Sequence, residues 1–324
     1  MAINYTNFTS LAVNGARIVP GQGQVGSPWS RHYYVDAKVG LDARSAEQNS
    51  SEEPFQTLGR AFQVVKSGDV IWCRGKMKEQ VTTPVGVFDV TIIGAVNHPR
   101  HADDHTETSG ARGSSAATLT APDSGSTATP LLTIQQQGWR VMNLVVQIAG
   151  NADAGIYLHA TDDSGDDERN GGHAQIINCK IQGNPTTPVG NGIEMNGVGF
   201  CDIYGNLFLG LVNGLKSTPG AGGQVGWWDI AGNRFSENTN GIVAPLYKCT
   251  VNGNQFLGGH TLEYDFTGGQ DNMVVNNYFN GNDAFETNVN GTADMFFPNY
   301  AGDSASADIT AAPDMWQAAI ADGS

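Results

Sequence analysis

One six-residue phrase recurs through the second half of the chain: Ile176-Ile177-Asn178-Cys179-Lys180-Ile181, Ile203-Tyr204-Gly205-Asn206-Leu207-Phe208, Ile230-Ala231-Gly232-Asn233-Arg234-Phe235, Val251-Asn252-Gly253-Asn254-Gln255-Phe256 and Val274-Val275-Asn276-Asn277-Tyr278-Phe279. The copies start 27, 27, 21 and 23 residues apart, which is the length of one coil of a solenoid. Each opens on a β-branched residue and closes on a large apolar one, both suited to a core. The Gly or Asn pair between them suits a sharp bend that needs positive φ. The phrase therefore predicts strand, turn, strand. Stacked at the strand spacing of about 4.8 Å, Asn206, Asn233, Asn254 and Asn277 should form a ladder of side-chain amides, with Cys179 putting a thiol at its end.

A second phrase, out of phase with the first, supplies another strand per coil: Gly155-Ile156, Gly192-Ile193, Gly214-Leu215 and Gly241-Ile242, the last three preceded by Asn191, Asn213 and Asn240. Cys201, Trp228, Cys249 and Asn272 align as well, each two residues before the apolar residue that opens the main phrase. Cys201 and Cys249 then lie two coils apart, roughly 9 to 10 Å, beyond disulfide reach. Together with Cys73 and Cys179 they read as buried thiols. Earlier coils are legible at 70–73, 90–94, 131–134 and 141–146. One helix is expected near 53–66, with Ser50 or Ser51 as N-cap and Phe55, Leu58, Ala61, Phe62 and Val65 on its apolar face. The fold class that follows is all-β: a single-stranded right-handed parallel β-helix with an N-terminal capping helix.

With 42 Gly and 40% hydrophobic residues the composition suits many short strands joined by tight turns. The formal charge of -15 opposes binding to nucleic acid or an anionic membrane. No apolar run is long enough for a membrane span, and Met1-Ala2-Ile3-Asn4-Tyr5 lacks the layout of a secretory signal. Three regions are expected: an extended arm at 1–32, the solenoid at 33–290 and a C-terminal tail or cap at 291–324.

The segments Tyr34-Val35-Asp36, Pro54-Phe55-Gln56-Thr57-Leu58, Ala61-Phe62 and Gly68-Asp69-Val70-Ile71, and the stretch from Gly75 to Glu79, resemble the N-terminal cap of pectate-lyase-like parallel β-helix proteins. With the repeats, the resemblance covers roughly 33 to 290. It implies the fold and leaves the activity open, because that superfamily includes lyases, hydrolases, epimerases, adhesins and phage virion proteins. The arm, the tail and the absence of an export signal point toward the virion group. The leading expectation is a non-enzymatic homotrimer that decorates or cements a phage capsid, or forms a short tail-associated spike, partnered by itself and by capsid or other virion proteins. Phe8, Trp29, Trp227, Phe296, Phe297 and Trp316 are its candidate interface residues. The rival is a depolymerase that cleaves host surface polysaccharide by lyase or hydrolase chemistry. A carbohydrate-binding adhesin is third.

The rival requires paired carboxylates on an exposed face. Two clusters carry the right residue types: Asp162, Asp163, Asp166 and Asp167 in one, and His101, Asp103, Asp104 and His105 in the other. The first lacks the spacing of a calcium loop; in the second His101 and His105 stand four apart but no strong helix signal surrounds them, and the simpler reading of both is an ordinary loop between coils or at an interface. Asp202, Asp229, Asp265 and Asp271 look scattered along the stack and make no obvious pair. Trp139, Trp227, Trp228, Tyr247 and Tyr264 could bind sugar if exposed, and at most one of Trp227 and Trp228 can point inward. No cofactor or metal is expected, and the catalytic signatures of the superfamily's polygalacturonase and pectate-lyase types are missing.

Overall fold

The computed structural model describes residues 30–94, 117–122, 129–148, 153–159, 171–218, 225–258, 260–266 and 268–280, together with short strand segments nearer the two ends. Among these residues, three parallel sheets of ten, nine and eight strands run the length of a β-helix. The ten-stranded sheet starts at His32–Asp36 and Val70–Arg74 and continues through Gln175–Ile177, Asp202–Tyr204, Asp229–Ala231, Thr250–Asn252 and Met273–Val275. The second half of each main phrase lies in the nine-stranded sheet, as in Leu207–Leu209 and Arg234–Ser236. The second phrase forms the eight-stranded sheet, as in Asn191–Asn196 and Asn213–Thr218.

The bend inside the main phrase is left-handed at its third residue in every copy: Asn178, Gly205, Gly232, Gly253 and Asn276 have φ between 52° and 69°. The residue after it builds the ladder. Asn254 accepts at Oδ1 from the backbone N–H of Asn233 at 2.9 Å and from its Nδ2 at 3.0 Å, and donates from Nδ2 to the Ile230 carbonyl at 2.8 Å. Asn206, Asn233 and Asn277 repeat the pattern, so each amide clamps the coils on both sides. The ladder begins at Cys179, whose N–H donates to Asn206, and runs one rung past the expected end, to Asn299. A second ladder joins Asn191, Asn213 and Asn240 at the start of the eight-stranded sheet's strands.

Inside, Phe208, Phe235, Phe256 and Phe279 form a column with ring centroids 4.8, 4.7 and 5.3 Å apart. That column explains the glycines of the second phrase. A Cβ on Gly214 would lie 2.5 Å from a Phe235 ring carbon and 2.7 Å from the Gly241 carbonyl oxygen. All four cysteines are buried and free. Burial pushes the Cys179 and Cys201 thiols up to about 12, and that of Cys73 higher still.

The helix is shorter and later than the sequence suggests, at Leu58–Phe62 with Thr57 as N-cap. Residues before it are held extended: Phe55 bridges Val35, its N–H donating to the Tyr34 carbonyl and its own carbonyl accepting from Asp36. Ser50 caps only a local turn, through the N–H of Glu53. Glu79 completes the cap, its two oxygens accepting from Leu58 and Gly59 at 2.8 Å each. Leu58, Ala61 and Phe62 join the solenoid core, where Phe62 meets Trp139 edge to face.

Near the ends, short strands at 11–13, 16–18 and 24–25 form an antiparallel sheet, and Met295–Phe296 and Tyr300–Ala301 extend the ten- and nine-stranded sheets by one strand each. Asn254→Ala leaves the Asn233 N–H and the Ile230 carbonyl buried without the side chain that satisfied them. We expect a loss of about 3 kcal/mol, read as a lowered urea midpoint and unfolding temperature by circular dichroism. Asn252→Ala, on the outward side of the strand that precedes the bend, is expected to change little.

Candidate functional site on the outward face of the ten-stranded sheet

Alternation along each strand sends the middle residue of Asp202–Tyr204 and its equivalents into the core and the flanking two outward. The register then lines up two outward rows. One runs Gln175, Asp202, Asp229, Thr250, Met273; the other runs Ile177, Tyr204, Ala231, Asn252, Val275. Toward the N-terminal end the first row continues through Arg140, Thr91, Val70 and His32 and the second through Met142, Ile93, Trp72 and Tyr34, with Val70 and Ile93 forming a small outer cluster against Trp72. The face is thus mixed at its N-terminal end, where Arg140 lies beside Gln175, and hydrogen-bonding and acidic further on.

Asp202 and Asp229 are register partners on adjacent strands, which sets their backbones about 4.8 Å apart. Read along the chain the two acids make no obvious pair, because they stand 27 residues apart. Both residues immediately precede the apolar residue that opens the phrase, at the coil period of 27, and that was the available signal. The two carboxyls sit in different surroundings. Asp202 accepts a hydrogen bond from Gln175 Nε2 at 2.8 Å. Asp229, exposed at the surface, has its pKa raised above the ordinary carboxylate value, first by partial desolvation and then by the like charge of Asp202.

A row of aromatic rings borders the pair. The residue two before each strand's first outward position occupies a left-handed turn, giving the series His173, Phe200, Trp227, Lys248, Asp271 with φ from 54° to 57°. His173 stacks on Phe200 at 5.0 Å and 8°, and Phe200 on Trp227 at 4.9 Å and 6°. Tyr247 meets Trp227 edge-on at 6.0 Å, and the Lys248 ammonium lies 4.9 Å from the Tyr247 ring centroid and 5.9 Å from that of Trp227. Phe200, Tyr204 and Trp227 are 50%, 55% and 49% exposed.

Of the aromatics considered from sequence, Trp227 points outward and Trp228 inward, its indole N–H donating to the Val198 carbonyl at 3.0 Å. Trp139 and Tyr264 are buried in the core. The acidic residues Asp162, Asp163, Asp166 and Asp167 and the cluster His101, Asp103, Asp104 and His105 lie outside the described residues, as do Phe8, Trp29, Phe297, Trp316 and the side chain of Phe296. Among the described residues, no group of three or more His, Cys, Asp or Glu side chains could hold a metal ion.

No family model and no curated protein sequence matches the chain. Solved structures do. The chain is similar to the GH136 lacto-N-biosidase from Eubacterium ramulus, with a TM-score of 0.54, 11% identity, and coverage of 83% of this chain and 56% of that one. It therefore spans little more than half the length of that structure. The pectin methylesterase from Aspergillus niger aligns over 87% of this chain and 88% of its own at 13% identity, with a TM-score of 0.44. Both are carbohydrate-processing enzymes, and at 11% identity the likeness to the lacto-N-biosidase is one of fold alone, the right-handed parallel β-helix.

The carboxyl pair has a measurable signature. Asp202→Asn removes the like charge and should bring the Asp229 pKa down toward the ordinary value, as read from carboxyl carbon shifts in an NMR titration. Because Asp229 binds its proton more tightly in the folded chain than in the unfolded one, its ionisation lowers stability as pH rises through the folded pKa. Asp229→Asn should therefore hold or raise the unfolding temperature at neutral pH.

Proposed function

We propose that this face binds a glycan and hydrolyses it, with Asp202 and Asp229 as the reacting carboxyls. The observation that carries the reading is the juxtaposition of these two acids beside an exposed row of stacked aromatic rings. Residues expected to be scattered turn out to be adjacent, and their surroundings differ in the direction acid–base chemistry needs. The reading takes up the depolymerase alternative from the sequence rather than the capsid-decorating one. Neighbours of the same fold that process carbohydrate favour that choice, and no comparison points to a virion or a trimer.

Adjacent strands hold the two backbones about 4.8 Å apart, near enough for both carboxyls to reach one glycosidic bond in a two-step, retaining reaction. In the mechanism that follows, Asp229 acts in its protonated form and delivers that proton to the glycosidic oxygen as the bond to the anomeric carbon breaks. The Asp202 carboxylate, oriented by Gln175, bonds to that carbon. Water then displaces Asp202, giving its proton to the Asp229 carboxylate and restoring both groups. The products are two shorter glycans, one with a new reducing end.

The test is to incubate the protein with a panel of plant, bacterial and host-surface polysaccharides and measure new reducing ends, following the anomeric proton by NMR. We expect release with retention at the anomeric centre, reduced at least a thousandfold in Asp202→Asn and in Asp229→Asn. Release that survives both substitutions, or products that are unsaturated sugars or methanol, would overturn the proposal.

A further inference from the structure

The turn bordering the acid pair is built against backbone preference. At the equivalent turn inside the main phrase, the left-handed position is taken only by Gly205, Gly232 and Gly253 and by Asn178 and Asn276, residue types that tolerate it. At the bordering turn it is taken by His173, Phe200, Trp227, Lys248 and Asp271 in five successive coils, all left-handed. Bulky L residues rarely adopt that conformation, and strain of this kind persists where the side chain is needed. Interior packing does not supply the need, because Phe200 and Trp227 are about half exposed while the adjacent Cys201 and Trp228 fill the core.

The rings stack face to face along the coil axis. They offer a ligand one continuous apolar ridge, parallel to the row of Gln175, Asp202, Asp229 and Thr250. Three stacked rings reach across two coil steps, about 10 Å, which is longer than a single sugar ring. The ridge and the strand rows together pair apolar surface with amide, hydroxyl and carboxyl groups, the mixture that sugar rings with C–H faces and hydroxyl edges require. From His173 onward, these rows carry Asp202, Asp229 and Asp271 against Lys248, whose ammonium is engaged with the rings of Tyr247 and Trp227. A polyanion laid over these coils would meet three carboxyl side chains, and the Arg140 guanidinium only one coil before Gln175.

We infer that the His173–Phe200–Trp227 ridge is the binding platform for a neutral glycan of several sugar residues, lying parallel to the coil axis with one glycosidic bond over the acid pair. This rests on the reading of the face as a glycan site and names its substrate class and direction. Trp227 and Phe200 are then affinity residues that take no part in bond breaking.

The experiment measures binding of wild-type protein, in the cold, to neutral hexasaccharides (xylo-, cello- and manno-) and acidic ones (oligogalacturonate and oligomannuronate), using tryptophan fluorescence and calorimetry. Trp227→Gly and Phe200→Gly are compared in parallel. Glycine relieves the left-handed strain, so both variants should keep an unfolding temperature near that of the wild type while losing affinity about tenfold for each ring removed. Tyr278→Ala, on the nine-stranded sheet, should bind like the wild type. Tighter binding of the acidic oligosaccharides, no binding of any neutral one, or unchanged affinity in Trp227→Gly would overturn the inference. Neutral binding that depends on Trp227, without any hydrolysis, would uphold the platform and count only against the acid-pair mechanism. Hydrolysis that needs Asp202 but is indifferent to Trp227 would do the reverse.

Discussion

Everything outward on this protein depends on a buried hydrogen bond repeated from coil to coil. Each asparagine of the ladder receives a backbone N–H from one neighbouring coil and donates to a carbonyl or amide on either side. A buried amide left without these partners costs as much as several ordinary hydrogen bonds return. Successive coils therefore have one favourable register. In a solenoid that register decides function as well as fold, because residues 21 to 27 apart in sequence become neighbours about 4.8 Å apart. A slip by one residue would reverse inside and outside along the strand.

The face on the ten-stranded sheet follows from that constraint. Ile203 and Ile230 are locked inward, so Asp202 and Asp229 must project outward side by side. Trp228 is locked inward against Cys249 and the Val198 carbonyl, so Trp227 is turned out at the bend. The aromatic row and the acid row are thus two consequences of one stacking rule. The pKa of Asp229 rises because partial desolvation and a like charge act on the same group, an arrangement that lowers stability at neutral pH and suits a proton donor.

Most of the fold was legible in the sequence because its determinants are local and repeated. The Gly-Asn pair marks the bend, the closing Phe marks the core column, and the Gly before each Ile marks a close approach between sheets. The helix boundary was not legible. Ser50, Glu52 and Pro54 form a plausible start signal, but Phe55 is claimed by a bridge to Val35, and tertiary pairing outweighs a local cap. The acid pair was hidden for a different reason. Charged residues on a solenoid surface show no periodicity of their own, and only subtraction of the coil length makes Asp202 and Asp229 neighbours. The aromatic row was half visible: Trp227 stood out as an outward residue, whereas Phe200 and His173 gave no signal until the left-handed turns aligned them.

The central claim is that coil register places Asp202 beside Asp229 on an exposed face. The most direct measurement is cross-linking of an Asp202→Cys, Asp229→Cys double variant with a short bis-thiosulfonate, read by intact mass and peptide mapping, since the four native thiols are buried. A matched Asp202→Cys, Met273→Cys variant spans three coil steps, about 14 Å. The account predicts rapid, complete bridging of 202 to 229 and none of 202 to 273. Absence of the first bridge while both introduced thiols react with a monofunctional reagent, or equal bridging of the two pairs, would contradict it.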